Sequence, residues 1–285
     1  MKYNRILVNK NEIISEVTYG AYYPMLTGKY AFNAVFTGEV DYTIEKRAVT
    51  LVPGSFIFLN HDTCYSSRID SPVEVNTFSV WFDPEFVRDF EYTNFSDERT
   101  LLDCPEVFKQ QQPRFIESIY TLNGDVKFNL LHLARHLEKG TNDQLLLNEY
   151  LNHCLINYYS LYHSEIIRRE DALKFLSCAT KTEILRRLSL ARDYMISNYN
   201  KNIRLDDIAQ MACLSVNHLL RTFKQAYQQS PHQFLTKVRL QQAKHLLKNT
   251  DYPVNEIVDI VGFECPSSFI RLFRNSFNIT PGQYR

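Results

Sequence analysis

Arg221 and Arg271 stand fifty residues apart, and each is followed three positions later by a second cation, Lys224 and Arg274. An arginine can bond the O6 and N7 edge of guanine bidentately, as Asn217 could bond adenine and Leu220 could touch a thymine methyl group. These residues belong to an internal repeat, because residues 219–234, LLRTFKQAYQQSPHQF, return as residues 269–284, FIRLFRNSFNITPGQY. Phe223 answers Phe273, Tyr227 answers Phe277, Ser230 answers Thr280, Pro231 answers Pro281, and Gln233 answers Gln283. Upstream, Asp207-Ile208-Ala209 answers Glu256-Ile257-Val258 at an offset of forty-nine, so one residue is inserted before the second copy.

The elements that position these side chains follow from apolar spacing. Ile208, Ala209 and Ala212 make one helical face, Cys213-Leu214 a turn, and Ser215 caps a new helix that buries Leu219 and Phe223. In the second copy Ile257, Val258 and Val261 make the face. Gly262 supplies a turn residue tolerant of positive φ, and Pro266 opens a helix burying Phe269 and Phe273. Ser230-Pro231-x-Gln233 and Thr280-Pro281-x-Gln283 both read as capping boxes. The outward faces then present Val216, Asn217, Leu220, Arg221 and Lys224 in the first helix, and Pro266, Ser267, Ile270, Arg271 and Arg274 in the second. Lys224 and Arg274, one turn beyond the tips, suit phosphates better than bases.

Two helices joined by a tight turn place the second in a DNA major groove. Charge agrees, since residues 181–285 carry 15 Lys and Arg against 8 Asp and Glu, while residues 1–180 carry 17 against 24. A net zero chain therefore hides a +7 segment able to replace condensed counterions on a phosphate backbone.

Residues 184–285 resemble the DNA-binding domain of the AraC/XylS-type bacterial transcription regulators. The resemblance rests on Ala191 to Asn198, Leu205-Asp206-Asp207-Ile208-Ala209, Arg239-Leu240-x-x-Ala243-x-x-Leu246-Leu247, Ile257 to Phe263, and Phe273-Arg274-x-x-Phe277-x-x-Thr280-Pro281-x-x-Tyr284-Arg285. It implies seven helices in two helix-turn-helix subdomains joined by a long helix at about His232 to Leu247. Successive major grooves about 34 Å apart would receive the two recognition helices. Val258 stands where the family usually has alanine, Cys265 and Ser268 replace commoner residues, and the family's short basic tail does not follow Arg285.

The first half reads as strands at Tyr30 to Phe36, Val40 to Ile44, Val49 to Leu51, Ser55 to Leu59 and Val73 to Phe82, with turns at Thr37-Gly38-Glu39 and Pro53-Gly54. The segment from Pro53 to Leu59 resembles the cupin-like barrel that many such regulators carry, over residues 15–90. His61 is the sole histidine of this region and no His-x-His pair accompanies it, so the metal-holding chemistry of cupin enzymes is not expected, nor any cofactor. The barrel reads instead as a receptor whose aromatics, Tyr22, Tyr23, Phe32, Phe36, Tyr42, Phe56, Phe58, Tyr65, Phe78 and Trp81, line a pocket or fill a core. A cupin enzyme fused to an inert helical domain, and a barrel serving only dimerisation, are the competing readings.

Helices are expected near 105–122, 126–139 and 143–164. In the last, Leu147, Leu151, Cys154, Tyr158 and Leu161 recur at coiled-coil spacing and form the expected dimer seam, while Leu155 and Tyr162 widen it into a stripe that suits packing on the barrel. The expected fold is thus α+β, with a cupin-like β-barrel and flanking helices over 1–164, a linker over 165–181, and an all-α domain of two helix-turn-helix subdomains joined by a long helix over 182–285. The expected protein is a cytoplasmic, non-enzymatic, homodimeric regulator of transcription. Its partners would be double-stranded promoter DNA, a small-molecule effector or partner at the barrel, and RNA polymerase if it activates. No secretion signal or membrane-spanning run is apparent, and the six cysteines lack metal spacing.

Overall fold

The structure is a computed structural model that describes residues 2–95, 112–140, 143–173 and 177–285. It divides into two compact units, Met1–Glu165 and Ile166–Arg285.

The first unit is built from β1 (Lys2–Val8), β2 (Asn11–Leu26), β3 (Tyr30–Thr37), β4 (Val40–Ile44), β5 (Arg47–Leu51), β6 (Ser55–Leu59) and β7 (Tyr65–Phe82). After these come α1 (Pro84–Phe95), β8 (Ile119–Thr121), α2 (Gly124–Glu138) and α3 (Gln144–Ala172). All strand pairs are antiparallel, in the order β1-β2-β7-β3-β6-β8, with β4 joined to β5 and β7. The 18-residue β7 organises the sheet. β2 runs along one of its edges, while β3 and β4 lie end to end along the other, pairing with residues 76–82 and 65–68. Gly38, between β3 and β4, has φ +73°, and a Cβ there would sit 2.6 Å from Val75 Cγ2, so only glycine fits the corner.

Among the described residues no pairing joins β1 to β8, so the sheet is not closed between them, while the antiparallel sheet with flanking helices agrees with the expected cupin-like architecture. The expected strands lacked β1, the whole of β2 and the first part of β7; in β2 the polar alternation (Glu12, Ser15, Glu16, Thr18) conceals a largely buried strand. The helix expected at 105–122 is corrected too. Its first part lies outside the described residues, and Ile119, Tyr120 and Thr121 form β8 against Ile57, Phe56 and Ser55. An edge strand offering unpaired backbone groups outweighs the local helical pattern.

Strand register sorts the side chains into two faces. Tyr30, Phe32 and Ala34 are opposite Phe82, Val80 and Phe78 on β7, and Phe32 and Ala34 are opposite Phe58 and Phe56 on β6. These residues form one face, and with Leu130 and Leu133 of α2 and Leu147, Leu151, Leu155 and Tyr158 of α3 they make the core. Tyr158 stacks on Phe58 at 4.1 Å between ring centroids. Each such side chain fully removed from water contributes about 1.5–3 kcal/mol.

This packing corrects the expected dimer seam. Leu147, Leu151, Cys154 and Tyr158 are at most 4% exposed, and Leu161 packs on the same core, so the stripe is filled by the chain's own sheet. The spacing alone suited either partner; the aromatic face of the sheet is the one it meets. The opposite face of α3 carries Glu149, His153, Ile156 and Ser160, all exposed. The stretch 165–181 holds the end of α3 and the start of the next helix, with no Pro or Gly to break either. Among the described residues no helix is long and apolar enough to cross a membrane.

Leu151→Glu tests the correction. It should destabilise the chain by several kcal/mol, on the order of 3–5, because a carboxylate would be buried without a partner. Urea unfolding should show this loss, whereas a fully folded monomer by sedimentation would restore the seam to a dimer interface.

Candidate nucleic-acid interface

Seven helices follow among the described residues of the second unit: α4 (Cys178–Ser197), α5 (Leu205–Met211), α6 (Val216–Tyr227), α7 (Pro231–Asn249), α8 (Val254–Ile260), α9 (Pro266–Phe277) and α10 (Pro281–Tyr284). The repeat is literal in the backbone. α5 and α8 are offset by forty-nine residues, α6 and α9 by fifty, and Glu264 is the extra residue of the second turn. In the first turn the Leu214 N–H donates to Ala209 O at 2.9 Å, and in the second Phe263 N–H donates to Val258 O at 3.0 Å. Each closes a left-handed helix end, at Cys213 (φ 51°) and Gly262 (φ 81°).

Caps then set where each recognition helix starts. Ser215 accepts the His218 N–H and opens α6, while Pro266 stands at the first turn of α9 behind Cys265. Both helices stop at a left-handed residue, Gln228 (φ 56°) or Asn278 (φ 59°). The capping boxes form as read: Ser230 N–H donates to Gln233 Oε1 at 2.8 Å, Gln233 N–H to Ser230 Oγ at 3.2 Å, and Thr280 N–H to Gln283 Oε1 at 3.3 Å. Leu219, Phe223, Phe269 and Phe273 are wholly buried.

The opposite face is the candidate interface. Asn217, Arg221 and Lys224 on α6, and Pro266, Ser267, Ile270, Arg271 and Arg274 on α9, are exposed, with Val216 and Leu220 half-buried beside them. The side chains of Arg221, Lys224, Arg271 and Arg274 make no ion pair or hydrogen bond among the described residues. Other cations are committed internally. Arg187 donates to Glu183 at 2.7 Å and to the Cys213 carbonyl at 3.0 Å, bracing the first turn. With Arg186 it holds the Glu183 carboxyl down at about 2, through hydrogen bonds and charge. Cys265, exposed at the cap of α9, has its thiol lowered to about 7 by hydrogen bonds from Ser267 and Ser268.

Sequence reasoning missed the part that holds the two copies together. Arg239 of α7 donates through Nε to Tyr199 O at 2.7 Å and through Nη2 to Lys201 O at 2.8 Å, and lies 5.9 Å from the Phe263 ring centroid. Between those carbonyls, Asn200 O presses on Gly262, where a Cβ would be 2.8 Å away. Arg239 carried the resemblance as a motif residue, but its partners are forty residues distant and invisible to local patterns.

The first unit contains a small cavity of about 50 Å³ on the sheet face turned from the helices. Tyr23, Tyr42, Tyr65 and Trp81 line it. Four other aromatics read as possible lining, Phe32, Phe56, Phe58 and Phe78, instead fill the helix-facing core, and Tyr22 is 65% exposed. His61 stacks on Tyr30 at 5.2 Å. Among the described residues no three His, Cys, Asp or Glu side chains converge as a metal site would require.

Paired helix-turn-helix units with solvent-facing cations on both second helices define a bipartite DNA-binding domain. A family model described as a helix-turn-helix domain matches residues 208–285. An uncharacterized HTH-type transcriptional regulator of Haemophilus influenzae is 34% identical over 100 residues, 35% of this chain and 34% of its own length. The lactose operon transcription activator of Staphylococcus xylosus is 27% identical over 154 residues, 54% of this chain and 51% of its own. The matches thus span about a third and a half of those relatives. A solved regulator with an AraC-type DNA-binding domain from Chromobacterium violaceum is 29% identical, with 38% of this chain and 94% of that chain covered and a TM-score of 0.34. Residues 208–285 of the chain thus carry a helix-turn-helix domain similar to that of transcription regulators.

Base reading and backbone positioning separate by mutation. Arg221→Ala should cost about 1–3 kcal/mol at a specific site and relax preference at one or two base pairs, whereas Lys224→Ala should weaken all sequences alike and lower the salt slope by about one unit. Competition binding against a randomised operator distinguishes them, and equal scaling of all sequences by both changes would remove Arg221 from base readout. Arg239→Met should loosen the spacing between the copies. A one-base-pair insertion between half-sites should then cost the variant less affinity than the wild type, and an unchanged insertion penalty in gel shifts would show that Arg239 does not set that spacing.

Proposed function

We propose that this chain binds promoter DNA sequence-specifically through α6 and α9, and that a small molecule held in the N-terminal cavity changes that binding. One observation carries the reading: the four long cations at equivalent places of the repeat are exposed and uncommitted, while Arg187 and Arg239 are committed to carbonyls within the fold. Uncommitted cations on a protruding helix gain most from a phosphate backbone, because they lose no internal partner on binding. The relatives' names as regulators of transcription agree with this use.

The N-terminal unit is read as a receptor rather than an enzyme. Its cavity combines aromatic walls with a few polar groups, the composition of a small-molecule site. A homodimer remains part of the proposal, through the exposed face of α3 rather than its buried stripe, and contact with RNA polymerase would accompany activation. A ligand can shift DNA binding only by favouring one of two states of the chain, so the isolated DNA-binding unit should not respond to it.

Gel shifts with genomic fragments test this on the full chain and on residues 166–285, which form a compact unit. Both should bind, with affinity falling steeply as salt rises. Only the full chain should change affinity when a ligand found by thermal-shift screening is added. A folded 166–285 fragment without DNA affinity at low salt would overturn the DNA reading, and a ligand acting equally on both would overturn the sensor reading. One iron, manganese or zinc retained per chain and lost on His61→Ala would favour an enzyme.

A further inference from the structure

We infer that Arg169, near the end of α3, is a positioning residue for the first recognition helix α6, an inference that rests on the DNA-binding reading above. The repeat supplies the starting point. Each recognition helix ends on an aromatic ring, Tyr227 in α6 and Phe277 in α9. Each ring packs on the buried phenylalanine one turn earlier, with centroids 4.4 Å apart for Phe223 and Tyr227 and 4.6 Å apart for Phe273 and Phe277. Each also carries a cation. Lys244 of α7 places its Nζ 4.9 Å from the Phe277 centroid and 5.4 Å from that of Tyr284. Arg192 of α4 places its guanidinium carbon 5.9 Å from the Tyr227 centroid.

Arg192 and Lys244 are counterparts. Ala191-Arg192 and Ala243-Lys244 stand at matching places in α4 and α7, fifty-two residues apart, and Ala191, Met195, Ala243 and Leu247 are all buried. In both copies, then, the helix preceding the helix-turn-helix sends a cation over the terminal ring. The first copy adds a second one. The Arg169 guanidinium carbon lies 4.7 Å from the Tyr227 centroid, nearer than that of Arg192, and the residue is 7% exposed. It comes from outside the repeat, on a helix that begins in the first unit and ends in the second. Glu170 accepts the Thr182 hydroxyl at 3.3 Å and Leu173 is wholly buried, so the end of α3 is fastened within the DNA-binding unit.

A cation held within about 6 Å of an aromatic face is attracted to it, and the attraction grows as water is removed, which favours the buried Arg169. Where it presses decides its use. Tyr227 is the last residue of α6, and Gln228 turns the chain away in the left-handed region at φ 56°. The same ring meets Phe234 of α7 at 6.2 Å. Fixing the ring therefore fixes the C-terminal end of the helix that carries Arg221 and Lys224 outward. A recognition helix that rocks presents those side chains in the binding geometry for only part of the time, and the apparent dissociation constant rises as that fraction falls. Arg169 acts on DNA through Tyr227 and α6, so its effect belongs to the half-site that α6 reads. Arg239, by contrast, acts on the spacing between the copies.

Variants of the full chain test this on an operator obtained by binding-site selection, with each half-site scrambled in turn. The half-site read by α6 is the one whose scrambling costs least in Arg221→Ala. Arg169→Met keeps an aliphatic side chain and removes the charge. It should weaken operator binding about fivefold and reduce the cost of scrambling the α6 half-site, while scrambling the α9 half-site costs as much as in wild type. Arg169→Lys should recover most of the loss, since Lys244 makes the same contact at Phe277. The double variant Arg169→Met, Tyr227→Leu should bind no more weakly than Tyr227→Leu alone, because both changes remove one contact. Unchanged affinity in a folded Arg169→Met overturns the inference. A loss that falls equally on both half-sites, or an additive loss in the double variant, overturns it too, since Arg169 would then support the fold at large or act through another neighbour. Thermal melting identifies a variant that does not fold. If Arg169→Met is one, Tyr227→Leu, which leaves Arg169 in place, must still show the effect at the α6 half-site only, and an even loss there overturns the inference. Wild-type protein that binds no operator sinks the DNA-binding reading and this inference with it, whereas normal wild-type binding with any of the contrary variant results sinks this inference alone.

Discussion

The guanidinium of Arg239 is the contact on which the DNA-binding unit depends. It joins the connecting helix α7 to the carbonyls of Tyr199 and Lys201 beyond α4, and Gly262 lets the intervening Asn200 carbonyl settle against the second turn. Two carbonyls spaced along a turn match the fixed fork of an arginine, and a lysine could not bind both in the same geometry. Desolvation lowers the guanidinium from its ordinary value, opposed by the nearby charge of Glu264, without bringing it near neutrality at ordinary pH. A bipartite reader needs its two recognition helices at a set separation, since DNA presents successive major grooves at a set repeat. Residues far from the recognition faces therefore determine whether both copies can engage at once.

Within each copy the same solution recurs by different residues. Cys213 and Gly262 occupy the same left-handed turn position; Cys213 is exposed, whereas the Asn200 carbonyl crowds Gly262. The first copy carries an exposed side chain in that strained conformation; the second has no room for one. Basic residues divide in the same way. Arg187 near the first turn and Arg239 on the connecting helix bond backbone carbonyls, and the side chains of Arg221, Lys224, Arg271 and Arg274 on the outer face of α6 and α9 stay free for an external anion. Net charge alone would count them all as DNA contacts.

The first unit rests on a division between the two faces of one sheet. Phenylalanines at 32, 56, 58, 78 and 82 meet α2 and α3, and the intervening positions hold Asn33, Thr77, Ser79 and Trp81. The period-two alternation of a strand lets one segment carry both a dry core and a polar pocket wall. Aromatic abundance, which made a barrel pocket attractive, mostly serves the dry side, and the pocket draws on tyrosines and the single tryptophan.

By itself the sequence determined what depends on neighbours a few residues apart. The repeat, the caps at Ser215, Ser230 and Thr280, the turn glycine at 262, and the outward face of Arg221 and Arg271 all follow from helical period and local hydrogen bonding. The tertiary structure decided what depends on distant partners. Whether the stripe Leu147, Leu151, Cys154 and Tyr158 meets another chain or its own sheet cannot be written into a heptad spacing, since both partners offer the same apolar surface. Residues 119–121 became a strand because β6 presented an unpaired edge, and Arg239 became a clamp because folding brought Tyr199 and Lys201 beside it. Likewise Asn33 and Glu16 share a cavity only through the pairing of β2, β7 and β3, a register set by strands that are far apart along the chain.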